Sequence, residues 1–497
     1  MRGSGILMPI ASLPSKYGIG LFSKEAYQFV DWLEKAGQRY WQLLPLGPTG
    51  YGDSPYQSFS TFAVNPYFID LDQLLKEGYI TKEECLLLEV EDHSQITYEP
   101  IFYNRREIFK KAYERFARTI DVEYETFCKA QSFWLDDYAL YMAIKEKFGY
   151  QSIKDWGEDI RLRKEGAMDR YQQELAEEVA CYKFQQYKAY TQWLQLKEYA
   201  NGKGIEIIGD LPIYVAYDSA DTWAHPKLFQ LDGALTPKAV AGCPPDAFAT
   251  DGQLWGNPLY EWEYHQRTDY EWWTARMKQC FLLYNVVRLD HFRGFDEYYS
   301  IPYGQETARD GIWKKGPGLP FFKRLEEKLG GMKIIAEDLG FLTESVKQLV
   351  VDTGYPSMKI LQFAFDSREA GDYLPCNYDK NCVVYTGTHD NDTILGWYET
   401  VSKDDLDYAR EYMNLGDLKR EEIPWEFIRL AMGSVANLCI FPIQDYLGLG
   451  SEARINVPST LGNNWCWRLN GERLTQELAE KIRRLTKVFA RSYNVSI

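Results

Sequence analysis

The run Asn285-Val286-Val287-Arg288-Leu289-Asp290 decides the fold: a short, β-branched apolar stretch that ends in charge. Side chains alternate along a strand, so Arg288 and Asp290 share one side while Leu289 faces the other. Seven further runs have the same texture: Gly5 to Ile10, Tyr40 to Pro45, Glu206 to Leu211, Lys333 to Glu337, Met358 to Phe363, Cys382 to Thr386 and Leu438 to Ile443. Helix-like segments separate them, which is the alternation of βα units. Eight such units are what a closed (β/α)8 TIM barrel needs.

The units are unevenly spaced. About 160 residues separate the second strand from the third, so something large is inserted there. Within it Phe133, Trp134, Tyr138, Met142 and Phe148 recur near helical spacing, and Glu174 to Ala200 reads as a long helix that Gly202 and Gly204 terminate. The expectation is one catalytic domain over 1–497 with a mainly helical insertion over 71–172. A Gly- and Pro-rich excursion over 221–260 reads as long loops covering the barrel mouth. A last helix is expected, with Leu478, Ile482, Leu485 and Phe489 on one stripe, and little room remains after the barrel, so no C-terminal β-sandwich domain is expected.

Composition narrows the function classes. Lys and Arg total 56 against 72 Asp and Glu, a net charge of −16, which repels nucleic acid and anionic lipid faces. No apolar run approaches the roughly 20 residues of a membrane span. The stretch Ile6 to Ala11 is short, carries Pro9 and lacks a small-residue cleavage pattern, so a cytoplasmic protein is expected. Nine cysteines without a C-x-x-C pair, beside five histidines, indicate neither a disulfide framework nor a zinc site. Neither G-x-x-x-x-G-K-[ST] nor a strand-linked G-x-G-x-x-G is present, which disfavours phosphoryl transfer and dinucleotide chemistry. Aromatic residues make up 15% of the chain, and their rings suit the faces of sugars as well as a thick core.

Barrel enzymes build their sites at the carboxyl ends of the strands. Four of the runs deliver an acid there: Asp210, Asp290, Glu337 and Asp390. Arg288 beside Asp290 is expected to favour the ionised carboxylate and lower its pKa, as a nucleophile requires. Glu337 near Asp290 and Asp390 is expected to be pushed towards the protonated form in which it acts as an acid. That division between two carboxyls is the logic of glycoside cleavage.

Gly209-Asp210-Leu211-Pro212-Ile213-Tyr214-Val215, Arg288-Leu289-Asp290-His291-Phe292-Arg293-Gly294-Phe295, Ile335-Ala336-Glu337-Asp338-Leu339-Gly340 and Gly387-Thr388-His389-Asp390-Asn391 resemble the four signature regions of the α-amylase clan. Pro244-Pro245-Asp246, Gly252-Gln253-Leu254-Trp255-Gly256-Asn257-Pro258-Leu259-Tyr260 and Tyr51-Gly52-Asp53-Ser54-Pro55-Tyr56 resemble the amylomaltase family, glycoside hydrolase family 77. The resemblance runs from Gly5 through Trp467. It implies a retaining 4-α-glucanotransferase with Asp290 as nucleophile, Glu337 as general acid/base and Asp390 holding hydroxyls of a distorted sugar. Arg288 and His389 would be their neighbours, and Asp210, Asp246, Tyr51, Trp255, Asn257 and Asn464 would contact the glucan. The implied partners are α-1,4-glucans with glucose as an acceptor, and no metal or other cofactor is called for. The acidic signatures alone suit an α-amylase-type hydrolase equally well, and the family motifs carry the preference for transfer. A non-catalytic glucan-binding protein is the rival of a different class, disfavoured because a binder has no physical need for all three acids.

Overall fold

The computed structural model describes residues 2–50, 52–91, 93–245, 250–340, 342–368 and 371–492. Its centre is an eight-stranded parallel sheet: β1 Gly3–Leu7, β2 Tyr40–Gln42, β3 Glu206–Leu211, β4 Val286–Leu289, β5 Ile334–Ala336, β6 Ser357–Ile360, β7 Cys382–Tyr385 and β8 Leu438–Pro442. Each strand pairs with its sequence neighbour, and β8 pairs with β1. The remaining seam is closed by Ala336 N–H donating to Pro356 O at 2.9 Å. The result is a (β/α)8 barrel. All eight sequence runs lie on its strands, although several were read two or three residues too far towards the carboxyl end. There the chain leaves the ladder for the loops of the site, and Pro45 has no N–H to extend β2.

Alternation sorts the strand residues into two layers. Leu7, Ile208, Val286, Ile335, Met358, Ile360, Val383, Tyr385 and Ile440 fill the barrel interior. Ile207, Val287, Ile334, Val384 and Phe441 pack outward into the large core shared with the helices. The inward parity of Ile208, Val286 and Ile335 carries on, two residues later, to Asp210, Arg288 and Glu337. Gly209 faces outward, where a Cβ would stand 2.2 Å from the ring of Tyr284.

Between β2 and β3 the chain forms helices that include Tyr98–Phe116, Val122–Lys147 and Ala176–Gly202. Trp134, Tyr138 and Met142 are the buried face of the second and pack against the third, with Trp134 and Tyr190 rings 5.8 Å apart. The third helix ends as Ile205 N–H reaches back to Ala200 O at 2.9 Å across Gly204, whose φ of 75° suits glycine, and the chain enters β3 directly. The 221–260 excursion is more ordered than its turn residues suggest. Ala239–Cys243 and Gln253–Pro258 join Glu297–Pro302 and Ile312–Lys315, from the segment after β4, in a four-stranded antiparallel sheet. That pairing lies between two separate βα connections, so no local pattern announces it. Among the described residues no helix is long and apolar enough to cross a membrane.

Candidate active site

Arg288 is the hub. It is buried at the end of β4, and its Nη1 lies 2.8 Å from both carboxylate oxygens of Asp210 and 3.0 Å from Oδ1 of Asp290. Its Nη2 stands 4.0 Å from Oε2 of Glu337, and its Nε donates to the Met358 sulfur. Three acids from β3, β4 and β5 thus converge on one guanidinium, whose planar fork suits several carboxylates at once.

Glu337 accepts two backbone N–H groups, from His291 at 2.6 Å and from Leu339 at 3.0 Å. The first reaches it because His291 adopts a left-handed conformation with φ 50°. Burial pushes the Glu337 carboxyl up, Arg288 and the two N–H groups oppose this, Asp290 reinforces it, and the balance lies at about 8. Asp290 is also pushed up, to about 6. This corrects the expectation drawn from Arg288: the arginine does pull the Asp290 pKa down, but burial is the larger effect and the charges of Asp210 and Asp390 add to it. What survives is the ordering. Glu337 is pushed higher than Asp290, so of the two it is the one that favours the proton.

Asp390 follows β7 and is held from three sides. His389 Nε2 lies 3.3 Å from Oδ2, Asn456 Nδ2 donates to Oδ1 at 2.6 Å, and Arg454 Nη2 donates to its backbone carbonyl at 2.7 Å. Burial opposes ionisation, but His389, Asn456 and Arg288 outweigh it and hold the carboxyl well below the usual range. Tyr56 ties the two halves together: its hydroxyl donates to Asp210 Oδ2 at 2.7 Å, and its ring stacks on His389 at 5.1 Å.

The remaining sequence-predicted residues separate into groups. Trp255 sets its ring edge to face on His291 at 4.8 Å, beside the turn that follows Asp290. Asn257 is buried with both ends of its amide engaged, donating to Val215 O at 2.8 Å and accepting from Gln57 at 3.1 Å. Asn464 accepts from Val457 N–H at 2.9 Å and donates to Thr460 O at 3.1 Å, bracing the loop after β8. Tyr51 and Asp246 lie outside the described residues. Sequence reasoning assigned no role to Tyr56, Arg454 or Asn456. Tyr56 stood inside a quoted motif, whereas Asn456 meets Asp390 across 66 positions and gives no local signal. Among the described residues no group of three or more His, Cys, Asp or Glu is placed to hold a metal ion.

Barrel and site together define an enzyme of the class that breaks and makes glycosidic bonds with a pair of carboxyl groups. The family model described as 4-alpha-glucanotransferase, of glycoside hydrolase family 77, matches residues 8–475. A 4-alpha-glucanotransferase from Clostridium butyricum is 51% identical over 487 residues, 97% of this chain and 100% of its own. One from Thermus thermophilus is 43% identical across 99% of both chains. The solved amylomaltase of Streptococcus agalactiae, in complex with acarbose, shares the fold with a TM-score of 0.96 at 41% identity, covering 99% of this chain and 100% of that one. The chain belongs to glycoside hydrolase family 77, the 4-alpha-glucanotransferases.

Proposed function

We infer that this enzyme transfers a segment of an α-1,4-glucan to the 4-hydroxyl of glucose or of another glucan, by double displacement. The observation that carries the mechanism is the convergence of Asp290 and Glu337 on the one Arg288 guanidinium, where burial and the Asp290 charge push the Glu337 carboxyl up further than Asp290 and favour Glu337 as the proton carrier. Asp290 attacks the anomeric carbon while Glu337 gives its proton to the leaving glycosidic oxygen. The leaving glucan departs with a free 4-hydroxyl, and Asp290 carries the glycosyl group through an ester bond. An acceptor 4-hydroxyl then loses its proton to Glu337 and attacks the same carbon, which frees Asp290 and restores the α-linkage.

Asp390 and His389 are assigned to hydroxyls of the sugar being cleaved and Trp255 to a further sugar, whereas Asp210, expected from the sequence to contact the glucan, has both oxygens on Arg288 and Tyr56 and is assigned with Arg288 to fixing Asp290. Tyr51 and Asp246 complete the proposed glucan contacts, while Asn257 and Asn464, expected from the sequence to touch the glucan, have their amides engaged within the protein and are assigned to holding the loops that carry them. Binding of acarbose by the Streptococcus agalactiae relative supports an α-glucan-shaped cleft.

Maltotriose incubated alone tests the reading, with free glucose, the oligosaccharide ladder and total reducing ends all followed. Transfer gives glucose plus chains longer than the substrate at constant reducing ends. Rising reducing ends without longer chains would mean hydrolysis instead. Asp290→Asn and Glu337→Gln should each abolish turnover in a protein with an unchanged circular dichroism spectrum.

A further inference from the structure

Asp445 is a buried carboxylate that the mechanism does not use. It stands in the short helix Ile443–Leu447 that follows β8, yet both of its oxygens are spent on the loop after β7. Oδ2 accepts from the Thr386 hydroxyl at the start of that loop, and Oδ1 accepts from Ile394 N–H at its end, 2.8 Å away. Between those two points lie His389 and Asp390. The span is braced further by Thr388 N–H on Asn391 Oδ1 at 2.8 Å, by Gln362 Nε2 on Asp392 O at 2.7 Å and by Ser451 Oγ on Asp392 Oδ2 at 2.7 Å.

One carboxylate therefore gathers both ends of the loop that presents a site acid. Burial costs it dearly, pushing its carboxyl up to about 6. An apolar side chain of similar volume would avoid that cost but would accept neither donor, and Thr386 is itself fully buried. We propose that Asp445 is a positioning residue for catalysis, setting the place of His389 and Asp390 through the two ends of their loop. This rests on the role assigned to Asp390 above. A displacement near 1 Å in such a loop costs on the order of 100-fold in rate.

The test uses Asp445→Asn, Thr386→Val and Asp390→Asn in the full chain, measuring kcat, KM, inhibition by acarbose and the thermal midpoint. Asp445→Asn keeps an acceptor for Ile394 but turns a donor towards Thr386, and Thr386→Val removes only the hydroxyl, so at least one variant should fold. The expected result is a 10- to 100-fold loss of kcat in both, roughly that range for a partial version of the same displacement. Acarbose affinity should fall in proportion, with KM changing less. A lowered thermal midpoint with wild-type kcat and wild-type acarbose affinity in the folded fraction would overturn the proposal and leave Asp445 a purely structural group. Wild-type activity in Asp390→Asn would instead overturn the role of Asp390 on which it depends.

Discussion

The backbone N–H of His291 meets Oε2 of Glu337 at 2.6 Å, so the residue directly after Asp290 clamps its partner carboxyl. The return contact, Phe292 N–H to Glu337 O at 2.9 Å, fastens the same turn to the end of β5. His291 makes the bond only by taking a left-handed φ of 50°, a conformation that costs about 1 kcal/mol for a residue with a Cβ. The bond ties the turn that carries Asp290 to Glu337, and the separation of such a carboxyl pair is what distinguishes retaining glycosidases, at roughly 5 Å, from inverting ones, at more than about 6.5 Å.

Because Asp290 is pushed up to about 6 and Glu337 to about 8, the form that the proposed mechanism requires, with Asp290 ionised and Glu337 protonated, should dominate between those values. The profile of kcat/KM should rise with pH through about 6 and fall through about 8. In Asp445→Asn or other variants distant from the pair, both limbs should stay near their places. A profile flat from pH 5 to pH 9 would defeat the assignment.

The same shift bears on stability with a definite sign. Glu337 moves from 4.5 up to about 8 on folding, so the folded chain binds the proton more tightly than the unfolded chain. Its favourable contribution is complete below the unfolded value and is lost as pH rises through the folded one. Glu337→Gln removes this liability, so its thermal midpoint should exceed that of the wild type most at pH 8 and least at pH 4. A constant difference across that range would show that Glu337 does not titrate as described.

Much of this was legible in the residues. Alternation placed Arg288 beside Asp290 because a strand leaves no other choice, and the four acids marked strand ends because charge terminates an apolar run. The antiparallel sheet of Ala239–Cys243, Gln253–Pro258, Glu297–Pro302 and Ile312–Lys315 was hidden, since its strands pair across two loops and the glycines and prolines around them read as turns. The grip of Asn456 on Asp390 was hidden for the same reason. The sign of the Asp290 shift depended on how deep the pair is buried, which a spacing of two residues does not reveal.

Arg288 offers a sharp test of the hub. Lysine keeps the charge but presents a single nitrogen, so even if it replaced Nη1 between Asp210 and Asp290 it would lose the Nε bond to Met358 and the approach of Nη2 to Glu337. Arg288→Lys should lower kcat by on the order of 100-fold, the usual scale for losing one preorganised electrostatic contact. Arg288→Met strands the buried Asp210 carboxylate and should cost about 3–5 kcal/mol in chemical denaturation. Retention of wild-type kcat by Arg288→Lys would remove Arg288 from the centre of the site.

Asn257 separates two kinds of contribution that the sequence motif leaves merged. Its amide joins Val215, just beyond β3, to Gln57, the neighbour of Tyr56, and Tyr56 in turn holds Asp210. Asn257→Ala leaves a buried carbonyl and a half-buried amide without partners, at a cost of about 1–3 kcal/mol. The expected outcome is a lower denaturation midpoint with a kcat loss that follows from a loosened Tyr56, and a further loss no greater than additive in the double variant with Tyr56→Phe. If instead the midpoint is unchanged while KM for maltotriose rises tenfold, Asn257 acts on the glucan directly and its bonds to Val215 and Gln57 are incidental.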